Sequence, residues 1–181
     1  MVKPSSRLLQ AGQHVPAPVV DDSAVLRHLA VRSLERDPSI EVVAPAPNGS
    51  VALKEPKILV AAGDSHMRLA TPVSGRFPEV VLDQGPPENS CRPAVDALFF
   101  SASQTFGGAT PTIFLTGMAQ DGLPGAGAVK SRGGFVVAQH ETTSAVWGLP
   151  GAASKAGLAD LALPLSHIVP EMLARFTAVK P

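Results

Sequence analysis

From residue 57 onward, short apolar runs alternate with helix-length stretches, and Gly or Pro stands at most junctions. Residues 58–62, 80–82, 112–116, 135–138 and 158–163 read as strands. Residues 93–106 read as a helix, with Val95, Leu98, Phe99, Ala102 and Phe106 on one face. Helices are also expected over 123–132 and 150–156, the second opened by Pro150 and followed by Gly157. A last helix carries Ile168, Met172, Leu173 and Phe176. A chain that alternates in this way has one economical solution, a parallel sheet covered by helices on both faces. The expected fold class is therefore α/β, with a mostly parallel, doubly wound sheet.

The chain has 181 residues, enough for one such domain or one domain with a small appendage. Apolar residues make up 45%, but there are only seven Phe, one Trp and no Tyr, so Val, Leu, Ile and Ala must build the core. Fifteen basic side chains balance fifteen acidic ones, which argues against a nucleic-acid binder. The single cysteine, Cys91, excludes an intrachain disulfide framework and a cysteine-rich zinc site. No apolar run is long enough to span a bilayer. Lys3 and Arg7 are not followed by a continuous apolar segment before Asp21 and Asp22, so no secretory signal is read and a cytoplasmic location is expected.

The first fifty residues have a different rhythm. Residues 1–16 read as a loose tail. Residues 17–20 form a short apolar strand closed by Asp21 and Asp22. Ser23 can cap a helix in which Val25, Leu26, Leu29, Ala30, Ser33 and Leu34 share a face, and Asp37-Pro38 stops it. Residues 40–43 read as a second strand, 45–49 as a turn, and 51–53 as the start of something helical that Pro56 interrupts. One strand-helix-strand unit holds too little core to be a domain alone. The change of character near 54–57, without a linker, reads as a join.

Several segments of the C-terminal part resemble the catalytic domain of the CheB-type protein-glutamate methylesterases of bacterial chemotaxis. They are AAGDSHMRL at 61–69, DQGPPENSCRPAVDALFFSAS at 83–103, FLTGMAQDGLPGAGAVKSRGG at 114–134 and VVAQHETTSAVWGLPGAASKAGLADLALPL at 136–165. Residues 18–53 resemble the opening of the receiver domain that precedes that catalytic domain. The resemblance implies a response regulator cut short: a tail at 1–16, a partial receiver-like βαβ segment at 17–54, and the C-terminal part of a methylesterase domain at 57–181. It implies hydrolysis of glutamyl γ-methyl esters on methyl-accepting chemoreceptors, possible deamidation of glutamines, and no cofactor. A chemotaxis histidine kinase is a partner by family only.

In the family a Ser-His-Asp triad performs the hydrolysis: Ser attacks, His carries the proton, and Asp orients and charge-stabilises the His. The family's Ser sits in a Gly-Ala-Ser-Thr-Gly-Gly-like turn and its His in a Gln-His-Met-Pro-like segment, and neither occurs here. The Asp carries over as Asp121 in TGMAQDG, and Met118 in the same loop matches a residue that lines the family's active site. Without the family, Asp121 still lies after an expected strand, where open α/β sheets place their sites. The plain alternative is that it caps the helix that follows. Asp21 and Asp22 match the receiver's Mg²⁺-binding acidic pair, but the phosphoacceptor Asp is missing, and a solvated strand end is the better reading. The competing function class is a catalytically dead remnant that at most binds receptor helices. Its missing first strand would leave an open sheet edge or an uncovered apolar face.

The remaining signals are weaker. Gly63-Asp64-Ser65 resembles the nucleophile turn of Gly-Asp-Ser-type esterases, but their C-terminal Asp-x-x-His pair is absent, and His66 adjoins Ser65 instead of facing it. His28 and His167 read as surface residues, Cys91 as a free thiol in a turn, and Phe99 and Trp147 as core. Gly125-Ala126-Gly127 lacks the context of a phosphate loop. The one replacement base that the layout offers is His140, expected on the same rim as Asp121, with Thr143 or Ser144 as its hydroxyl. The alternative is a solvent-facing His140.

Overall fold

In the computed structural model the described residues are 17–19, 42–43, 50–52, 58–71, 77–118 and 120–177, with residues 17–19, 42–43, 50–52, 58, 173, 176 and 177 described by backbone alone. The expected helix of residues 23–36, with Asp21, Asp22 and His28, lies outside them.

Strands β1 (Ala17–Val19), β2 (Val42–Val43), β3 (Ser50–Ala52), β4 (Ile58–Val60), β5 (His66–Ala70) and β6 (Glu79–Asp83) precede helix α1 (Val95–Phe106). Strand β7 (Pro111–Phe114), helix α2 (Leu123–Ser131), strand β8 (Phe135–Gln139), helix α3 (Leu149–Lys155), strand β9 (Leu161–Leu163) and helix α4 (Leu165–Thr177) follow. The fold is α/β, as expected. The strands form three sheets of order β1-β4-β2, β3-β6-β5 and β7-β8-β9. The first and third are parallel, with Ala17 and Val42 both opposite Ile58, Ile113 opposite Val137, and Ala138 opposite Ala162.

The second sheet departs from the expectation, since β6 pairs antiparallel with both β3 and β5. Residues 51 and 52, expected to open a helix, are strand instead: Val51 pairs with Val80 across the β3-β6 ladder. Three residues are too few to reveal a period, and Pro56 lies too close behind them to leave room for a helix. Strand β5 was hidden behind the Gly63-Asp64-Ser65 turn. Its inward residues Met67 and Leu69 and the inward Val80 and Leu82 of β6 alternate with half-buried ones, as a sheet with one dry face requires. Strands β1 and β2 lie before the expected join and β4 beyond it, yet all three share one sheet.

One apolar core serves all three sheets. Leu59, Met67, Val80 and Leu82 meet Leu98, Phe99 and Ala102 of α1, Phe114 of β7, Val136 of β8, and Ala126 and Val129 of α2. The Phe99 and Phe114 rings meet edge to face at 5.4 Å. Phe99 is thus a core residue. Trp147 stays half-buried, with Nε1 donating to the Gln139 carbonyl at 3.2 Å. Gly125 is small for packing reasons: a Cβ there would lie 2.7 Å from Phe99 Cβ and 2.9 Å from an Asp96 carboxylate oxygen. The tight contact between α1 and α2 therefore accounts for that glycine.

Candidate active site

Strands β7 and β8 are parallel neighbours, so the segments that follow them leave from the same rim of the sheet. Backbone bonds join these segments. Gly117 donates to the Val146 carbonyl at 3.0 Å, and Leu149 donates to the Gly117 carbonyl at 2.9 Å. The Val146 amide donates to the Thr116 hydroxyl at 2.8 Å. Behind them sits Gln139, only 2% exposed at the end of β8. Its Oε1 accepts from the Thr116 amide at 2.8 Å, and its Nε2 donates to the Thr143 carbonyl at 2.6 Å. One buried amide thus holds both rim segments. Met118 projects from this rim, 86% exposed.

Asp121 is buried beside the rim, at 5% exposure. Its carboxylate accepts from the backbone amide of Val95 at 2.5 Å and of Asp96 at 3.2 Å, and from the Asn89 side-chain amide at 3.2 Å. It therefore caps α1 from a distant loop. Ala94, the residue at that helix's own N-cap, has no side-chain acceptor to offer. The reverse arrangement completes the pair. Asp96, in the first turn of α1, accepts from the Gly125 amide at 2.7 Å, at the start of α2. The alternative reading, a cap on the following helix, is corrected on geometry: Asp121 caps the preceding helix, and Asp96 caps the following one.

Asn89 links the two carboxylates, donating to Asp96 at 2.8 Å as well as to Asp121. Asn89 and Ser90 both adopt positive φ, 51° and 65°, a conformation costly for serine, in the turn that delivers this amide. Burial is the main reason that the Asp96 carboxyl titrates above the ordinary carboxylate range; the charge of Asp121 adds to it, against the donors at Gly125, Gly122 and Asn89. A cleft of about 670 Å³ opens beside Asp121 and Asn89, lined also by Ser90, Cys91, Gln120 and Pro124.

The other site residues read from the sequence fall elsewhere. His140 sits on the expected rim, but its Nδ1 contacts the Thr142 hydroxyl at 2.9 Å and the Thr142 amide at 3.3 Å. No hydrogen bond joins it to Asp121 among the described residues. Thr143 and Ser144 direct their hydroxyls to the His140 carbonyl, at 3.3 and 3.0 Å. His66 is fully buried, bonded to the Pro86 carbonyl through Nε2 at 3.0 Å and to the Ala94 amide through Nδ1 at 3.2 Å. It ties β5 to the approach of α1. Ser65 is buried as well, which removes it as an exposed nucleophile. Asp64 bonds Arg92, whose guanidinium also donates to the Gly85 carbonyl at 2.9 Å. Among the described residues no cluster of His, Cys, Asp and Glu is placed to hold a metal ion.

Asn89, Asp96 and Gln139 were not singled out by the sequence reading. Asp96 carries a faint local signal, an acid in the first turn of a helix. Each of the three has a partner 23 or more residues away, which no period or motif announces.

The CheB methylesterase family model matches residues 9–172, a span that runs through the stretch expected to be receiver-like. The protein-glutamate methylesterase/protein-glutamine glutaminase of Nocardioides sp. is 43% identical over 169 residues, covering 92% of this chain and 45% of its own length. A second such protein, from Caulobacter vibrioides, is 46% identical over 122 residues, covering 67% of this chain and 35% of its own length. The chain thus spans less than half the length of these curated relatives. The crystal structure of the Thermotoga maritima CheB methylesterase catalytic domain superposes with a TM-score of 0.77 at 31% identity, covering 91% of this chain and 84% of that one. With a family match over residues 9–172, relatives above 40% identity and a shared fold, the chain belongs to the CheB methylesterase family.

Proposed function

We propose that this chain engages glutamyl γ-methyl esters on methyl-accepting chemoreceptors in the cytoplasm, through the rim that carries Met118 and Asp121, and that by itself it does not turn them over. The observation that carries this reading is the engagement of Asp121. In a working triad this carboxylate accepts a hydrogen bond from the protonated ring nitrogen of the catalytic histidine. Here its hydrogen bonds go to Val95, Asp96 and Asn89. His66, His140 and His167, the three described histidines, bond other partners. What a triad enzyme retains without its serine and histidine is binding and electrostatic stabilisation, on the order of 10³–10⁴-fold over water. Met118 supports the receptor contact, as an exposed, adaptable apolar side chain three residues before Asp121.

We also infer that residues 9–172 act as one methylesterase unit, with 17–54 as its N-terminal portion in place of a receiver fragment. The sharing of one sheet by β1, β2 and β4 supports this, as does the start of the family match at residue 9.

The test combines methanol release from methylated receptor with binding to the same receptor. Binding without methanol release is expected. Robust methanol release from the pure chain, abolished by Asp121→Ala, would mean that a replacement triad exists and would overturn the reading.

A further inference from the structure

The cleft beside Asp121 has two walls. One is the turn that carries Asn89, Ser90 and Cys91; the other is the segment entering α2, with Gln120, Asp121 and Pro124. The turn is closed on itself, Glu88 and Cys91 exchanging backbone hydrogen bonds at 3.1 and 2.8 Å. The Asn89 side chain crosses to the opposite wall. Its Nδ2 donates to Asp121 Oδ1 at 3.2 Å and to Asp96 Oδ2 at 2.8 Å, so both amide hydrogens are committed to carboxylates.

The four carboxylate oxygens are not equivalent. Asp121 Oδ1 accepts from the Asp96 amide, Asp121 Oδ2 from the Val95 amide, and Asp96 Oδ1 from the Gly125 amide. These backbone donors cannot turn into acceptors. Asp96 Oδ2 meets a side-chain amide, which can rotate, so it is the oxygen that takes a proton with the least disruption. Asp96 is 3% exposed, so the new O–H needs an acceptor inside the protein, and it faces the Asn89 amide donor to donor. If the amide stays, its bond to Asp96 is lost. If it flips, its oxygen accepts from Asp96 but faces Asp121 Oδ1 acceptor to acceptor, and that bond is lost. Burial first, and the Asp121 charge with it, favour the protonated form of Asp96. Other charges near α1 are engaged elsewhere. Helix α1 carries no second charged side chain, and the first charge of α2, Lys130, bonds Asp160. Arg68 of β5 holds Asp83 and Glu88, His66 bonds Pro86 and Ala94, and Arg92 bonds Asp64.

We propose that Asn89 is a proton-operated latch on this cleft: with Asp96 ionised its amide clamps the turn to the opposite wall, and a proton at Asp96 Oδ2 breaks the clamp and frees the turn. Asn89 and Ser90 both sit at positive φ, so the freed turn has lower-energy conformations to relax into. The cleft is ordered above the Asp96 titration and loose below it. As regulation of receptor engagement the latch rests on the function proposed above; its operation does not.

The test is an NMR titration of the full chain from about pH 7 to about pH 4. The Asn89 side-chain amide signals should move with the same midpoint as the Asp96 carboxyl carbon. Protection of the Cys91 amide, which donates to the Glu88 carbonyl, should fall by about tenfold across that midpoint. Asn89→Ala should abolish this pH dependence and raise the Asp96 midpoint, because a donor to the charged form is gone. Asp96→Asn should leave the turn loose at about pH 7, since its own amide then presents a donor to Asn89. Asn89 signals that stay flat through the Asp96 titration would overturn the proposal. So would a Cys91 amide equally protected on both sides of it, or a fall in protection that persists in Asn89→Ala. All of these are read on the protein alone, so they decide the latch whether or not the receptor binds.

Discussion

Replacing Asp121 with alanine tests whether this carboxylate works as a cross-chain helix cap. The loss of a capping side chain costs about 1 kcal/mol. The Asp96 amide, buried and bonded to Asp121 at 3.2 Å, is then left without its acceptor, which adds about 1–3 kcal/mol. Relief of repulsion between Asp121 and the buried Asp96 works in the other direction. The net expectation is about 2 kcal/mol of lost stability, or about 4–8 °C in Tm for a chain of this size. Urea unfolding followed by far-ultraviolet circular dichroism at pH 7 reads this directly. Asp121→Asn keeps an acceptor oxygen and should lose about half as much. Both variants should also bring the Asp96 carboxyl down toward 3.8, because one cause of its elevation is gone. The sign is fixed by linkage. A carboxyl raised in the folded state destabilises that state above its unfolded pKa, and the penalty disappears below it. The variants should therefore narrow the pH window above 3.8 in which wild-type stability falls as pH rises. A loss below about 0.5 kcal/mol in Asp121→Ala, with Asp96 titrating unchanged by NMR, would refute the capping argument.

Gln139→Leu should cost about 2–4 kcal/mol by chemical denaturation, because the Thr116 amide and the Thr143 carbonyl lose a buried partner together. It should also broaden NMR signals across residues 115–118 and 140–147. Gly134→Ala should cost about 2–4 kcal/mol in the same assay, since its Cβ would lie 2.4 Å from Val129 Cγ1 and 2.8 Å from the Thr110 carbonyl oxygen. The Arg68 hydrogen bond holds the Asp83 carboxyl below its ordinary value, helped by the Gly85 amide. Its contribution is thus present above pH 3.8 and lost as pH falls through the lower folded value. Asp83→Asn should flatten that acid limb in pH-dependent unfolding by no more than about 1 kcal/mol, because both partners are about a third exposed.

The parts of the fold that the sequence made legible are those with a period. Helix α1 was readable because Val95, Leu98, Phe99 and Ala102 repeat at helical spacing, and three of these four are fully in the core. Strands β7 and β8 were readable as apolar runs bounded by turns. Strand β3 was misread because three residues have no period, and what makes them a strand is the ladder with β6, residues away in sequence. The rim that holds Asp121 and His140 followed from topology, but their engagement did not. The distance between two side chains on one rim depends on what else competes for them. Asp121 met two helix amides and an asparagine; His140 met Thr142 in the next turn. Asp96 and Gln139 belong to the same lesson, because their roles exist only once segments 23–29 residues apart have folded together.

The exchange of caps between α1 and α2 also sets how this region opens. Each helix closes its first turn with a carboxylate that the other segment supplies, so fraying of either N-terminus strips the acceptor from its partner. The two helices are therefore one cooperative unit, and their amides should exchange from a common opening event instead of fraying independently. An aspartate in such a position serves folding whether or not any chemistry passes through it. The capping of its helix gives Asp121 a structural task before any substrate is considered.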